Sequence, residues 1–322
     1  MSLRKELRRT RQAAFAVGTQ KNLKTQWRAY LLFCRYFGFS PVPSTVNIIC
    51  LYAQFLSFSV TSNSIRNYLN GVRVLHLYLG HEFTFLQHFI VRITLRGIAR
   101  LLPHTPKQAL AITVTTLLRV HSCLDFSSPY EIVVFTAALF AFFLMARLSN
   151  ILPASQAAKD LRKALCRKHI RLIEGNLLVV FNWSKTIQFG ERKLVVPLIP
   201  FPGSPICPVS LFNRMISSVP ASPSSPAFVV PIRGGLKVLT KSAFINSFRH
   251  LLVRAGTPLA HAYTGHSFRR GGATWAFGIG IPGEYIQVVG DWKSECYKKY
   301  FEFSLDVMLS VSSRMRDSIL NC

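Results

Sequence analysis

Acidic residues are scarce in this chain of 322 residues: 13 Asp and Glu stand against 39 Lys and Arg, a formal net charge of +26. The carboxylates are scattered and no D-x-D pair occurs, so the sequence gives no positive sign of a two-metal site, which needs clustered carboxylates. No G-x-x-x-x-G-K-[ST] motif is present either, so the sequence contains no recognisable phosphate-binding loop for an ATP-driven activity. We expect neither a metal nor a small-molecule cofactor.

Long apolar runs and paired cysteines are also absent. The longest uncharged apolar run, residues 132–146, is too short to span a bilayer and is typical of a buried core helix. The N-terminal sequence MSLRKELRRTRQ is not followed by an apolar stretch, so no secretory signal is visible. The seven cysteines are odd in number, widely spaced and without a C-x-x-C motif, which predicts reduced thiols in an intracellular protein.

The excess of positive charge predicts a polyanionic partner, of which nucleic acid is the commonest and an anionic membrane the rival. The first 100 residues hold fourteen Lys and Arg but only two acids, Glu6 and Glu82. Arg92, Arg96 and Arg100 recur every four residues, which places three guanidiniums on one helix face. A solvated surface stripe is the simpler interpretation. No acid follows Glu82 in this stretch, however, so the repulsion among the three arginines is not compensated by nearby acids. A DNA phosphate backbone would compensate it.

The hydrophobic pattern predicts a protein that is mainly α with a small antiparallel β-sheet. Residues 20–100 show helical spacing, and Pro103 and Pro106 indicate a linker, so we predict an all-helical domain over 1–103 and a second domain over 104–322. The second domain is expected to contain helices, three short strands and a loop at 219–226. Those predicted segments are helices 113–124, 129–146 and 240–256, and strands 170–173, 177–183 and 193–198.

One literal motif carries no function. Residues 278–283 match G-x-G-x-x-G, which in dinucleotide-binding proteins joins a strand to a helix. Here the motif follows a helical segment, and Pro282 is expected to begin the next helix at its first position. We therefore reject the dinucleotide interpretation.

A set of residues distributed along the second domain combines arginine, lysine, histidine and tyrosine side chains. Arg147 directly follows the apolar run, Lys185 lies at the end of a predicted strand, and His266 and Arg269 are spaced to share one face of a helix. Tyr297 and Tyr300 follow on a basic segment with Lys298 and Lys299. Each residue alone has an ordinary structural explanation, such as capping for Arg147.

In this order, the set resembles the catalytic domain of tyrosine recombinases, the phage-integrase family. The segments HSFRRGGAT and GDWKS are most similar to the corresponding segments in the recombinases of eukaryotic DIRS-like and Crypton mobile elements. The resemblance implies a helical DNA core-binding domain followed by a catalytic domain. It also implies DNA breaking and rejoining through a 3′-phosphotyrosyl intermediate, without metal or ATP.

The resemblance also implies a role for each residue. Arg147 and Arg269 would grip the scissile phosphate, and Tyr300 would be the nucleophile. His266 would handle its proton, and Lys185 would protonate the leaving 5′-oxygen, with Lys193 as a competing candidate. Besides the arginine stripe at 92, 96 and 100, Lys298 and Lys299 are candidate DNA contacts.

Two positions depart from the family's pattern. The family places the nucleophile about nine residues after a His or Trp that follows a glycine; here that residue is Asp291, which favours Tyr300 over Tyr297. A carboxylate beside a scissile phosphate would be repulsive, so we expect Asp291 to turn away while Trp292 packs or donates its indole N–H. The acid usually found three residues after the first arginine is replaced by Asn150.

The resemblance predicts double-stranded DNA as the partner and a homotetramer on two synapsed sites. The tail 301–320, with apolar Leu305, Met308, Leu309 and Val311, is expected to dock on a neighbouring protomer or on its own domain. Nuclear localisation is expected from the resemblance and the charge. Two alternatives stay open: an inactive recombinase-derived DNA-binding protein, with Asp291 as the reason, and a type IB topoisomerase-like activity.

Overall fold

The computed structural model of the chain describes residues 2–103, 109–161, 163–301 and 305–321. The chain divides into two compact units, Met1–Lys107 and Gln108–Cys322. Its elements are mostly α-helices, accompanied by a three-stranded and a two-stranded antiparallel sheet. The predicted fold class, mainly α with a small antiparallel β-sheet, is confirmed. Pro106 of the predicted linker lies outside the described residues.

The first unit is helical in its described part, because apolar residues recur at helical spacing and polar residues cap the helix starts. Thr45 and Thr61 each accept a hydrogen bond from a backbone N–H in the first turn of the helix that follows. Buried aromatic and aliphatic side chains, including Tyr30 and Tyr52, form a core between the helices. The helices are α1 (Leu3–Ala13), α2 (Val17–Phe37), α3 (Val46–Ser57), α4 (Ser62–Tyr78) and α5 (Phe89–Leu101).

The second unit is organised around one helix that is buried on every side. This helix starts at Pro129, where Ser128 caps it, and its residues 132–142 are all buried, which confirms the prediction of a core helix for the apolar run. The helices of this unit are α6 (Val114–Ser122), α7 (Pro129–Phe143), α8 (Leu148–Ile151), α9 (Ala158–Leu161), α10 (Pro208–Ser218), α11 (Lys241–Arg254), α12 (Gly265–Gly278), α13 (Gly283–Val289) and α14 (Leu305–Leu320).

The three predicted strands form one antiparallel sheet in the order β1 (Ile170–Ile173), β2 (Asn176–Phe181), β3 (Leu194–Leu198). Glu174 and Gly175, both with positive φ, make the tight turn between β1 and β2. β2 ends at Phe181, so the prediction that Lys185 lies at a strand end is wrong. Lys185 instead belongs to the connection of residues 182–193.

Two short strands were not predicted. β4 (Val229–Ile232) and β5 (Gly235–Val238) form a hairpin. The run VVPI, followed by Arg233 and two glycines, is a signal for this hairpin that sequence reasoning missed, because Pro231 lowers the strand expectation.

The boundaries of two helices, α11 and α13, can be compared with the positions predicted from capping residues and proline. Thr240 caps α11, and Gly256 follows its end with φ 65°, as predicted. Pro282 immediately precedes α13 and is not its first residue, so that prediction was wrong by one position. Within the described part of the chain, no helix combines the length and the apolar character that crossing a membrane requires.

Candidate active site

Arg269 is the most deeply buried charged residue of the candidate site. It lies one turn inside α12, whose start is capped by Thr264, and only 2% of its surface is exposed. Its Nη1 donates hydrogen bonds to the carbonyl oxygens of Met145, at 2.5 Å, and Gly290, at 2.6 Å. Its Nη2 is also buried but has no hydrogen-bond partner among the described residues. One side of this guanidinium is therefore fixed by the protein, and the other is left for a ligand.

Two consecutive glycines let α12 approach the end of α7 closely enough to place Arg269 there. A Cβ on Gly271 would lie 1.9 Å from the carbonyl oxygen of Ile112, and one on Gly272 would lie 2.2 Å from that of Phe142. Any other residue would push α12 outward. The glycines of the RRGG segment are therefore part of how Arg269 reaches the carbonyl of Met145.

Arg147 belongs to the turn that follows α7. The turn is tight, with φ 46° at Met145, and Arg147 is the residue immediately before α8. The side chain is half-buried, and its Nη1 is buried without a hydrogen-bond partner among the described residues. In the described part of the chain it donates no hydrogen bond to the carbonyls of α7, which disfavours the simple capping role.

The two arginines lie close enough to influence each other. Burial is the largest cause that lowers the pKa of Arg269, to about 9, and the positive charge of Arg147 acts in the same direction. Arg269 still remains protonated at neutral pH. A pair of neighbouring cations with buried, unpartnered nitrogens is a strong anion-binding arrangement.

His266 lies at the second position of α12, with its side chain exposed. Desolvation on its inner side is the largest cause that lowers its pKa, and the charges of Arg269, Arg147 and Lys185 lower it further. Three cations from separate parts of the chain thus act on this one imidazole. The structure therefore brings together the predicted residues Arg147, Lys185, His266 and Arg269, and the lowered pKa keeps His266 neutral at pH 7.

Tyr300 and Tyr297 have different environments, although they share one short 3₁₀ helix, Glu295–Tyr300. Tyr297 is 3% exposed and packs against Trp292. Tyr300 is half-buried and lies near enough to Arg269 to influence that guanidinium. Its backbone carbonyl accepts a hydrogen bond from the Thr274 hydroxyl at 2.5 Å. This geometry favours Tyr300 as the reacting hydroxyl and a packing role for Tyr297.

Trp292 covers the guanidinium of Arg269. The guanidinium carbon lies 3.6 Å from the centre of the indole ring, a cation–π contact. The ring folds back across Gly290, where a Cβ would come within 1.7 Å of it. Trp292 also lies near Tyr300, since the centres of the two rings are 5.8 Å apart.

The carboxylate of Asp291 makes its hydrogen bonds with the connection between β2 and β3, and among the described residues it makes none with Arg147 or Arg269, although its negative charge still acts on Arg269. The Asp291 side chain is buried and accepts hydrogen bonds from Ser184, at 2.9 Å, and from Thr186 and Arg192. Burial alone would raise the pKa of Asp291, but the hydrogen bonds from Thr186, Arg192 and Ser184 outweigh it and hold the pKa below its ordinary value. No local sequence pattern predicts these three partners, which lie about a hundred residues away in the chain.

The remaining predicted lysines are exposed, whereas Asn150 is buried. Lys185 and Lys193 are both exposed, near opposite ends of the connection between β2 and β3. Lys298 and Lys299 are exposed, and Lys298 pairs with Glu295 at 2.8 Å. Asn150 is buried, and its Oδ1 has no hydrogen-bond partner in the described residues.

The predicted stripe of the first unit is exposed along its whole length. Arg92, Arg96 and Arg100 lie on α5 with their side chains in solvent. Arg66 of α4 joins Arg92 and Arg96 around one surface groove, a contribution that sequence reasoning did not identify.

Comparisons with known proteins give a likeness in fold. No family model and no curated protein matches the chain. The solved structures that it resembles include the Tn1549 transposon integrase in complex with transposon right end DNA, with a TM-score of 0.64 and 12% identity over 94% of this chain and 95% of that one. A lambda integrase dimer bound to a COC′ core site has a TM-score of 0.59 and 16% identity over 94% and 96% of the two chains. The XerH site-specific recombinase bound to its difH substrate has a TM-score of 0.56 and 13% identity over 89% and 76%.

Proposed function

We propose that this chain, which has the fold of the tyrosine recombinases, breaks and rejoins DNA through a covalent 3′-phosphotyrosyl intermediate. The observation that carries the proposal is the pair Arg147 and Arg269, each with a buried nitrogen that lacks a partner in the described residues, beside Tyr300. Planar guanidiniums match the two non-bridging oxygens of a phosphodiester. They also neutralise the charge that develops on these oxygens in the transition state.

In the cleavage step, the Tyr300 oxygen forms a bond to phosphorus while the bond from phosphorus to the 5′-oxygen breaks. His266, neutral at pH 7, accepts the tyrosine proton, and Lys185 donates a proton to the leaving 5′-oxygen. Rejoining is the reverse: a free 5′-hydroxyl attacks phosphorus and Tyr300 leaves. Because the phosphotyrosyl bond conserves the energy of the broken bond, the exchange requires no ATP, and the arginines replace a metal in neutralising charge.

DNA binding is assigned to the basic surfaces of both units. Arg92, Arg96 and Arg100 supply a row of phosphate contacts on α5, and Lys298 and Lys299 supply contacts beside the nucleophile. These contacts position the duplex without reading its sequence.

Assembly into a homotetramer on two synapsed sites, in the service of a mobile element, is part of the same proposal. The support is α14, whose described side chains include none that is buried. The exposed apolar residues of this helix are Leu305, Met308, Leu309, Val311, Met315, Ile319 and Leu320. A helix that does not bury its apolar side chains on its own unit is suited to docking on a neighbouring protomer.

The decisive experiment is covalent capture on a nicked suicide substrate. A pool of nicked duplexes with a randomised central region is incubated with the protein, and DNA that stays attached after denaturation is recovered and sequenced. Tyr300→Phe should abolish capture, and Tyr297→Phe, the matched control, should retain it. Capture by Tyr300→Phe would contradict the assignment of the nucleophile.

The same DNA distinguishes the alternatives. An inactive DNA-binding relative would bind these duplexes without capture. A type IB topoisomerase-like enzyme would be captured and would relax supercoiled plasmid, but it would form no recombinant product from two sites. Recombinant product together with capture supports the proposal.

A further inference from the structure

The connection between β2 and β3, residues 182–193, is bound near both of its ends by one carboxylate, that of Asp291. Ser184 and Thr186 flank Lys185, and the hydroxyls of both donate to the same oxygen of Asp291. The two hydroxyls also contact each other at 2.8 Å, and the backbones of Ser184 and Ile187 exchange hydrogen bonds at 3.1 and 3.2 Å. The backbone on either side of Lys185 is therefore fixed.

The second carboxylate oxygen of Asp291 binds the other end of the connection. It accepts a hydrogen bond from Arg192, which is the second-last residue of the connection. Asp291 and Ser184 are buried, whereas Lys185 between the two hydroxyls is exposed. Because Ser184 and Ile187 pair with each other, Lys185 and Thr186 are the two central residues of a tight turn. The Thr186 hydroxyl of this turn is bound to Asp291, and the Lys185 side chain is exposed.

Asp291 also belongs to the segment that holds Arg269. The residue before it, Gly290, accepts a hydrogen bond from Arg269, and the residue after it, Trp292, covers the same guanidinium. At Asp291 the backbone has φ 57°, a left-handed conformation that is uncommon for a residue other than glycine. One three-residue segment thus contacts both Arg269 and the connection that carries Lys185.

We infer that Asp291 is a positioning residue that fixes Lys185 relative to Arg269, so that the ammonium can protonate the leaving 5′-oxygen. This inference rests on the proposed function, and it gives the departure from the family's His or Trp a purpose. A carboxylate suits the position because it accepts from three donors at once. An asparagine has one acceptor oxygen and would turn an N–H₂ group towards donors.

A sulfur substitution in the DNA separates this role from a general structural one. When the bridging 5′-oxygen is replaced by sulfur, the leaving group is a thiolate, a much weaker base than an alkoxide, and it departs without a proton donor. On DNA with the ordinary bridging oxygen (oxygen DNA), Lys185→Ala should lower the rate of capture roughly 100-fold or more. On DNA with the bridging sulfur (sulfur DNA), the rate of this variant should return to within about 3-fold of the wild-type rate. Asp291→Ala should show the same pattern, with a loss of at least about 10-fold on oxygen DNA. Arg147→Ala should stay impaired on both, because the arginine acts on the non-bridging oxygens.

Two further variants keep the test informative if Asp291→Ala folds poorly. Thr186→Val removes one anchoring hydroxyl with little change of shape and should show a smaller loss that sulfur also restores. Glu191→Gln, the matched control, removes a carboxylate that lies in the same connection but accepts from backbone N–H groups of that connection, its own and that of Phe189, and it should match the wild type. Equal impairment of Asp291→Ala on oxygen and sulfur DNA, or no impairment, would overturn the inference.

Hydrogen–deuterium exchange of the DNA-free protein tests the anchor without relying on activity. Exchange in residues 182–193 should be faster in Asp291→Ala than in Glu191→Gln, with the rest of the second unit unchanged. If the wild type is never captured by either DNA, the proposed function fails. If it is captured but exchange in 182–193 does not respond to Asp291→Ala, only the positioning role fails.

Discussion

The indole of Trp292 lies over the guanidinium of Arg269, with 3.6 Å between the guanidinium carbon and the ring centre. The same guanidinium donates to the carbonyl of Gly290, two residues before the tryptophan. Arg269 is therefore held along one edge by a hydrogen bond and across one face by an aromatic ring. Its orientation is fixed before any phosphate arrives, which is the condition for electrostatic stabilisation without reorganisation.

Removing this ring should weaken both the fold and the site. Trp292→Ala is expected to cost about 3–5 kcal/mol in the free energy of unfolding, because the side chain is almost fully buried. Trp292→Phe keeps a ring over Arg269 and should lose much less. Urea unfolding measures stability, and capture of nicked DNA at a temperature where both variants are folded measures the site. Equal capture by the two variants would argue against a role for the ring in orienting Arg269.

Under the proposed function, the pKa of His266 should set the pH dependence of cleavage. Desolvation and the charges of Arg269, Arg147 and Lys185 lower this pKa below the ordinary value of 6.5. The neutral ring is therefore the main form at pH 7, and it is lost only when the pH falls through the lowered pKa. With DNA limiting, the second-order rate of capture should stay level from pH 8 down to about 6.5 and fall below that value.

His266→Asn serves as the control for this profile. Asparagine cannot titrate, so the variant should be slower but should lack the decline on the acid side. A decline of the wild-type rate that begins above pH 6.5 would contradict the lowered pKa, and an identical decline in His266→Asn would assign it to another group.

The hydrophobic pattern predicted the fold class, and the ordered set Arg147, Lys185, His266, Arg269 and Tyr300, together with the segments HSFRRGGAT and GDWKS, carried the resemblance. Helix starts such as Thr240 were also predictable, since capping depends on residues a few positions apart. The partners of Asp291 were not predictable. Ser184, Thr186 and Arg192 lie 99 to 107 residues from it in the sequence, and no local pattern encodes a contact at that distance.

Ionised Asp291 should stabilise the protein in a pH-dependent way. Because its pKa in the folded protein lies below the ordinary value, its contribution is fully present above the ordinary Asp pKa of about 3.9 and is lost as the pH falls through the folded pKa. Asp291→Asn should therefore be less stable than the wild type by about 1–3 kcal/mol at pH 7, the cost of incompletely satisfied buried partners. The difference should shrink as the pH falls below about 4. Urea unfolding at each pH measures it, and a difference that does not change with pH would contradict the ionised state.

The exposed stripe of Arg92, Arg96 and Arg100 should determine part of the salt dependence of DNA binding. Each phosphate contact releases condensed counterions, so the logarithm of the binding constant falls with the logarithm of the salt concentration, by about 0.9 per contact. Changing all three arginines to glutamine should therefore reduce the slope by up to about 3, with similar weakening on any DNA sequence. Fluorescence anisotropy with a labelled duplex over a salt series measures the slope.

The control must remove the same charge elsewhere, because a lower net charge alone weakens attraction to DNA. Arg171, Arg233 and Lys237 are exposed residues of the second unit for which no DNA contact is proposed. Their triple change to glutamine lowers the net charge by the same amount, but it should leave the slope nearly unchanged, since charges without a phosphate contact release few counterions. Equal slopes for the two triple variants would mean that the α5 stripe attracts DNA only at long range and is not part of the interface.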